Sequence, residues 1–308
     1  MSRIRLAIVG FGKIARDQHA PALAHSDEFE FTAIASPGGE AGCVPRFADL
    51  ESLLRDGPAV DAVALCTPPQ ARFALARQAL EQGLHVLLEK PPAMTVRDVE
   101  VLADRARREK LALFASWHSR HAPAVETARA WLEGRRIDRI AIAWKEDVRV
   151  WHPGQQWIWE EGGLGVFDPG INALSILTRL VPDRLTVENS ELRVPENCAM
   201  PIAAQLTLHA ARGYRVAVEL DFRETGNQIW TIEIATDGGN LALADGGARL
   251  AIDGRGIECA PRAEYRDVYA RFAHLVRHHQ VDADVAPLQL VAEAFQRGRR
   301  IPVEAFSY

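Results

Sequence analysis

The sequence predicts an α/β protein in two parts. The first is a doubly wound parallel sheet, and the second is an α+β domain built on a large, mostly antiparallel open sheet. Three observations predict this. Short apolar runs and helical patterns alternate strictly from residue 1 to about residue 118, which is how βαβ units read. Strand-like stretches then follow one another with turn residues between them. The length of 308 residues also matches two domains at roughly 150 residues each. The expected division is 1–118 and 119–308.

The elements follow in order. Strands are expected over 4–9, 29–35, 59–66, 85–89 and 111–116. They are nearly continuously hydrophobic, as burial on both faces of a parallel sheet requires. Helices are expected over 14–24, 50–55, 71–82 and 96–109, the last opened by a Thr95-x-x-Asp98 capping box. Past residue 118 come a helix over 122–133, a strand over 137–147 and a helix over 164–180. Strands over 185–194, 202–209, 215–222, 228–235 and 240–244 follow, punctuated by Thr225-Gly226-Asn227 and Asp237-Gly238-Gly239. Helices over 265–280 and 287–297 finish the chain.

Composition narrows the class. Hydrophobic residues make up 48% and charged residues 25%, enough apolar material for a core, so global disorder is excluded. A net charge of −5 without a basic stretch argues against nucleic acid as a partner. The longest uncharged run, 197–211, contains Pro201 and falls short of the roughly 18 residues of a membrane span. With no signal-peptide pattern at the start, a cytoplasmic protein without a membrane partner is expected. Cys43, Cys66, Cys198 and Cys259 lie far apart and read as buried free thiols. Only four of the 36 basic residues are lysines: Lys13, Lys90, Lys110 and Lys145. Ammonium and guanidinium differ in chemistry, so a lysine retained in this background carries information.

Directly after the first strand stands Gly10-Phe11-Gly12-Lys13-Ile14-Ala15, a G-x-G-x-x-A motif. The first glycine permits a tight turn, the second admits a pyrophosphate against the backbone, and the small third residue lets helix and strand pack closely. The helix N-terminus offers free N–H groups to phosphate. The motif sits on a strand-to-helix junction, so a dinucleotide is expected at Gly10, Phe11, Gly12, Lys13 and Ile14. Ser36 ends the second strand, where an acid would accept the ribose hydroxyls and repel a 2′-phosphate. No acid stands between Ile34 and Glu40, and no arginine stands beside Ser36. NADP is therefore permitted and slightly favoured, with NAD still open. Cys66-Thr67-Pro68 and Glu89-Lys90 end two further strands, where ligands of such sheets bind.

The second part holds a different cluster. Trp144, Trp151, Trp157 and Trp159 fall within sixteen residues, mixed with Lys145, Glu146, Asp147, Arg149, His152, Gln155 and Gln156. They read as a wall where apolar sugar faces meet hydroxyl-binding side chains. Asp168 and Asn172, four residues apart on a helix after a glycine-rich stretch, share one face. His274, His278 and His279 read as solvated groups near a helix end. No H-e-x-x-H-type spacing is present, so no catalytic metal is expected.

G-x-G-x-x-A, Cys66-Thr67-Pro68-Pro69 and Glu89-Lys90-Pro91 together resemble the Gfo/Idh/MocA oxidoreductases, which join a Rossmann domain to a domain on a large open sheet. The resemblance implies that Lys90 lies beside the nicotinamide and the reacting sugar carbon, with Glu89 nearby. Members of that family usually carry D-x-x-x-H where this chain has Asp168 and Asn172, the histidine transferring a proton. Asparagine does not titrate, so Asp168 becomes the expected general base, Lys90 the donor that orients the reacting oxygen, and Asn172 an orienting partner. The stretch from Trp144 to Ile176 closely resembles the branch of the family that oxidises C1 of galactose- and arabinose-type sugars. By that resemblance Lys90, Glu146, Trp151, His152, Asp168 and Asn172 line the sugar pocket, with His118 and Trp230 as further candidates. The implied activity is an aldose 1-dehydrogenase yielding an aldonolactone, dimeric through the second sheet by analogy. Two alternatives stand beside it. Retention of Lys90 and Asp168 argues against a sugar- and dinucleotide-binding transcriptional sensor. The missing histidine argues against an inositol-type secondary-alcohol dehydrogenase.

Overall fold

The computed structural model describes residues 2–38 and 44–307, so Gly39, Glu40 and Cys43 lie outside the described residues. The chain divides into two compact units. One comprises 1–118 with 263–285, and the other 119–262 with 286–308.

In the first unit, β1 (Ile4–Val9), β2 (Phe29–Ala35), β3 (Arg46–Phe47), β4 (Ala62–Leu65), β5 (His85–Leu88) and β6 (Leu113–Ala115) form one parallel sheet with the late strand Val281–Asp282. The order from one edge is Val281–Asp282, β6, β5, β4, β1, β2, β3. The strand order reverses between β1 and β4, the crevice at which such sheets bind ligands. Side chains alternate across the sheet with period two. Ala7, Val9, Val63, Leu65, Val86 and Leu88 face a core completed by helices α2 (Leu50–Asp56), α3 (Pro69–Glu81) and α4 (Val96–Glu109). Leu6, Ile8, Ala62, Ala64 and Leu87 face the opposite core.

That second core explains where the expected boundary fails. The helix Glu264–His278 buries Tyr265, Val268, Tyr269, Phe272, Leu275 and Val276 against Leu6, Ile8, Phe29 and Phe114. A parallel sheet needs cover on both faces. This unit takes half of its cover from a segment nearly 150 residues downstream, so a single cut after 118 misassigns 263–285. The helix expected over 14–24 also differs. It is a π-helical turn at Ala15–His19 followed by α1 (Ala20–Ala24), with Pro21 in the first turn of α1. Proline has no N–H for the ladder, which is why the regular helix restarts there. At α4 the Asp98 N–H donates to Thr95 at 3.1 Å, as the capping sequence predicts.

In the second unit, α5 (Val125–Leu132), β7 (Ile137–Lys145), α6 (Val148–Trp151) and α7 (Phe167–Leu180) precede a run of strands: β8 (Leu185–Pro195), β9 (Ala203–Ala210), β10 (Arg215–Asp221), β11 (Ile229–Thr236), β12 (Gly239–Ala244), β13 (Arg249–Ile252) and β14 (Arg255–Ile257). The sheet runs β14-β13-β12-β11-β7-β10-β9-β8 and ends on the strand Arg299–Val303. All pairings are antiparallel except β7 with β10 and β8 with that last strand. Ile140, Ile142, Trp144, Val218 and Leu220 point to a buried face, against which Gly170 of α7 presses so closely that a Cβ there would meet Leu220 Cδ1 at 2.6 Å. The helix Ala286–Arg297 packs on α7 through Phe167 and Phe295, ring centroids 5.0 Å apart.

Candidate active site

In the first unit the glycine-rich turn is built by close approach. Gly10 has φ +84°, and a Cβ there would meet Thr67 Cγ2 at 2.7 Å and Thr67 N at 2.8 Å. Only glycine lets the turn after β1 lie against the end of β4. Gly12 points into open space, while Ala15 is fully buried. The Thr67 hydroxyl is buried with no hydrogen-bond partner. The features fit a dinucleotide: a cradle closed on the sheet side, open at Gly12, with an unpaired hydroxyl beside it. Phe11 and Ile14 are half-buried, Pro68 is exposed, and Lys13 is exposed and paired with Asp17 at 2.5 Å. Burial pushes the Cys66 thiol well up, so it packs as a neutral group.

Ser36 ends β2 and its Oγ accepts the Phe11 N–H at 3.2 Å, tying this strand to the glycine turn. The structure adds a residue at this corner that sequence reasoning missed. Arg46 on β3 pairs with Ile34, places its guanidinium 5.2 Å from the Phe11 ring centroid and donates to the Gly38 carbonyl. Its Nε is buried without a partner. A two-residue strand has too few positions for alternation to show, so nothing in the sequence ties Arg46 to a corner ten residues away.

Lys90 follows β5 at the carboxyl end of the sheet, half-buried. Glu89 departs from the cofactor-facing place expected for it. It is 1% exposed, and its carboxylate accepts the Tyr265 hydroxyl at 2.7 Å, the Lys90 N–H at 2.7 Å and His19 Nε2 at 3.3 Å. Burial alone pushes this carboxyl up. The hydrogen bond and charge of His19, with His118 and Arg72, outweigh that and hold it below the usual carboxylate range. His19 Nδ1 is 2.8 Å from the Tyr269 hydroxyl, and Arg72 donates to the Glu89 carbonyl at 2.7 Å. The network therefore pins the backbone that carries Lys90. His118, a sugar-pocket candidate, belongs to this unit, where its Nδ1 is 2.7 Å from Glu264 and its ring stacks on Tyr265.

In the second unit the expected polar residues converge. Glu146 follows β7, and its N–H donates to the Asp221 carbonyl at 2.9 Å. Asp147 caps α6, and the chain then turns back so that His152, six residues on, reaches Glu146 with Nε2 at 3.1 Å from Oε1. The other Glu146 oxygen accepts the Trp230 indole N–H at 2.9 Å. His152 Nδ1 lies 3.5 Å from Asp168 Oδ2 in the first turn of α7. Glu146 is 2% and Asp168 4% exposed. Asn172 sits one turn on from Asp168, half-buried. The approach to α7 depends on Gly165, at φ +51°, where a Cβ would meet the Pro201 carbonyl.

The tryptophan wall is only partly as expected. Trp144 and Trp159 are core residues, Trp144 stacked on Trp230 at 5.7 Å and Trp159 against Phe222 at 5.6 Å. Trp151 is 41% exposed with its ring 4.9 Å from Trp230, and Trp157 is half-buried. Among the described cysteines Cys66 alone is buried, and Cys198 and Cys259 are half-buried. His274, His278 and His279 are exposed. No cluster of His, Cys, Asp or Glu among the described residues could hold a metal ion. Nor does any described helix have the length and apolarity to cross a membrane.

A doubly wound sheet with a glycine turn at its switch point, joined to a unit that buries carboxylates around an imidazole, defines a dinucleotide-dependent oxidoreductase. The profile of the oxidoreductase family with an NAD-binding Rossmann fold matches residues 4–116, and the chain belongs to that family, Gfo/Idh/MocA. It is 48% identical over 306 residues to galactose 1-dehydrogenase from Pseudomonas fluorescens, covering 99% of both chains. The crystal structure of D-galactose-1-dehydrogenase from Rhizobium etli matches with a TM-score of 0.95 at 49% identity, over 100% of this chain and 99% of that one. A 3-ketoreductase from Actinomadura kijaniata, solved with NADP and TDP-benzene, shares the fold with a TM-score of 0.83 at 20% identity, over 98% and 100% of the chains.

Proposed function

We propose that this protein is an aldose 1-dehydrogenase that oxidises the C1 hydroxyl of a galactose- or arabinose-type pyranose to the aldonolactone. The full-length likeness to galactose 1-dehydrogenase carries this reading, and the buried acidic cluster beside the Trp151–Trp230 pair agrees with it. When bound, the oxidised dinucleotide supplies the hydride acceptor. Asp168 takes the C1 hydroxyl proton, Lys90 orients O1, and Asn172 hydrogen-bonds the substrate beside Asp168. Trp151 and Trp230 offer an aromatic face to the sugar ring. The assay is a panel of aldoses with NAD and with NADP, read at the reduced-nicotinamide band, with the lactone identified as product. Failure to reduce either dinucleotide with any galactose- or arabinose-type sugar defeats the reading. The second sheet, whose outer face carries exposed Gln205, His209, Ala217 and Glu233, is the proposed homodimer surface, and light scattering measures the mass.

Both dinucleotides are expected to serve, with NADP favoured, because Ser36 and Arg46 share the corner at which a 2′-phosphate would sit. Ser36→Asp is expected to cut NADP use at least tenfold, about 1.4 kcal/mol, while sparing NAD. Arg46→Ala is expected to weaken NADP selectively by roughly 1.5–3 kcal/mol, a charge-assisted hydrogen bond's worth. Equal losses with NAD and NADP in the arginine variant would place Arg46 away from the phosphate.

A further inference from the structure

We propose that His152 receives the substrate proton from Asp168 and passes it to solvent, so that an imidazole from the turn after β7 does the work for which α7 has no histidine. The role rests on the reaction proposed above. Position 172, one turn along α7, holds an amide that cannot carry a proton, whereas the structure brings a different imidazole to Asp168.

The hydrogen bonding selects the tautomer. Glu146 is buried and takes the Trp230 N–H on one oxygen, so an N–H at His152 Nε2, 3.1 Å away, is the donor that satisfies the other. Nδ1 then carries a lone pair. It is buried with no hydrogen-bond partner, 3.5 Å from Asp168 Oδ2. A lone pair facing a carboxylate is an unfavourable arrangement in a buried place, and one proton between the two atoms cures it. Turnover delivers that proton. The O–H bond at C1 breaks as hydride leaves the carbon, and an O–H bond forms on Asp168. That bond then breaks as N–H forms at Nδ1, and Asp168 recovers its negative charge. The imidazolium so made lies between two carboxylates, with Nε2 3.1 Å from Glu146 Oε1 and Nδ1 3.5 Å from Asp168 Oδ2. Nδ1 itself is buried, so the proton leaves when the His152 ring, 13% exposed as a side chain, turns that nitrogen to water, and the site is reset.

Among the described residues of this unit, Glu146 after β7 and Asp168 on α7 are the charged groups against the ring, and Phe222, just past β10, packs on it at 5.5 Å. Neighbouring Asp147 and Asp221 are neutralised by Arg149 at 2.9 Å and Arg223 at 2.7 Å.

The test begins with wild-type turnover of the best aldose, and absence of turnover defeats the reaction and this role together. Given turnover, His152→Ala and His152→Gln are expected to lose kcat on the order of 10²-fold, with sugar KM within about threefold and part of the loss in His152→Ala restored by added imidazole. Glu146→Gln probes the relay with the ring in place. Replacing the charged acceptor that holds the Nε2 proton by a neutral amide is expected to lower kcat about tenfold, the difference between a charge-assisted and a neutral hydrogen bond. A raised KM with unchanged kcat in the His152 variants would show that His152 only grips a sugar hydroxyl. An unchanged kcat in Glu146→Gln, with no imidazole rescue of His152→Ala, overturns the relay while leaving the reaction standing.

Discussion

Asp168→Asn is expected to lower kcat by 10² to 10⁴-fold, roughly 3–5 kcal/mol of transition-state stabilisation, with dinucleotide affinity nearly intact. The substitution keeps size and shape in a position only 4% exposed, so packing around the first turn of α7 survives. What it removes is the capacity to bind a proton. Asp168 and Asn172 share a helix face, and of the two only the carboxylate can act as a base. Steady-state kinetics with a calorimetric measurement of dinucleotide binding reads both quantities. A variant with most of its activity would exclude Asp168 as the base.

Lys90→Met is expected to lower kcat by about 10² to 10³-fold, the cost of losing one oriented donor at a developing negative charge. Methionine keeps an unbranched stem of similar reach and discards the ammonium. The backbone at this place is held on several sides: Glu89 accepts the Lys90 N–H at 2.7 Å, and Arg72 donates to the Glu89 and Pro91 carbonyls. The loss therefore reports on the ammonium and not on a moved chain. Arginine is not expected to rescue, because a planar fork does not replace a compact point charge. If Lys90→Met were dead while Asp168→Asn stayed active, Lys90 would be the base and the two assignments would exchange. Dinucleotide affinity measured alongside separates this from a collapsed cofactor site.

The parts of the candidate site that the sequence makes legible are those whose signals are local. The glycine turn needs only a strand, two glycines and a helix in immediate succession, and Gly10, with its left-handed backbone against Thr67, is required by that geometry alone. Glu146 and His152 lie six residues apart and meet through one short helix. Glu89 was misplaced for the opposite reason. A carboxylate next to a strand-end lysine looks like a ligand, and its actual partners, Tyr265 and His19, sit 176 and 70 residues away. Trp144 and Trp159 likewise turned from wall to core, since alternation along β7 and the packing of Phe222 decide which face an aromatic meets.

Hydrophobic period and turn chemistry by themselves determined the doubly wound first sheet, the strand-rich second one and the dinucleotide turn, because each depends on residues within one or two elements of each other. Only the tertiary structure decided that 263–285 returns to cover the first sheet, that Arg46 reaches the corner beside Ser36, and that His152 stands against Asp168. Those are long-range choices made by burial. An exposed apolar sheet face must be covered by whichever distant segment fits it, and a buried charge must be met by whichever polar group the packing brings within reach. Neither demand leaves a mark at a fixed spacing in the chain.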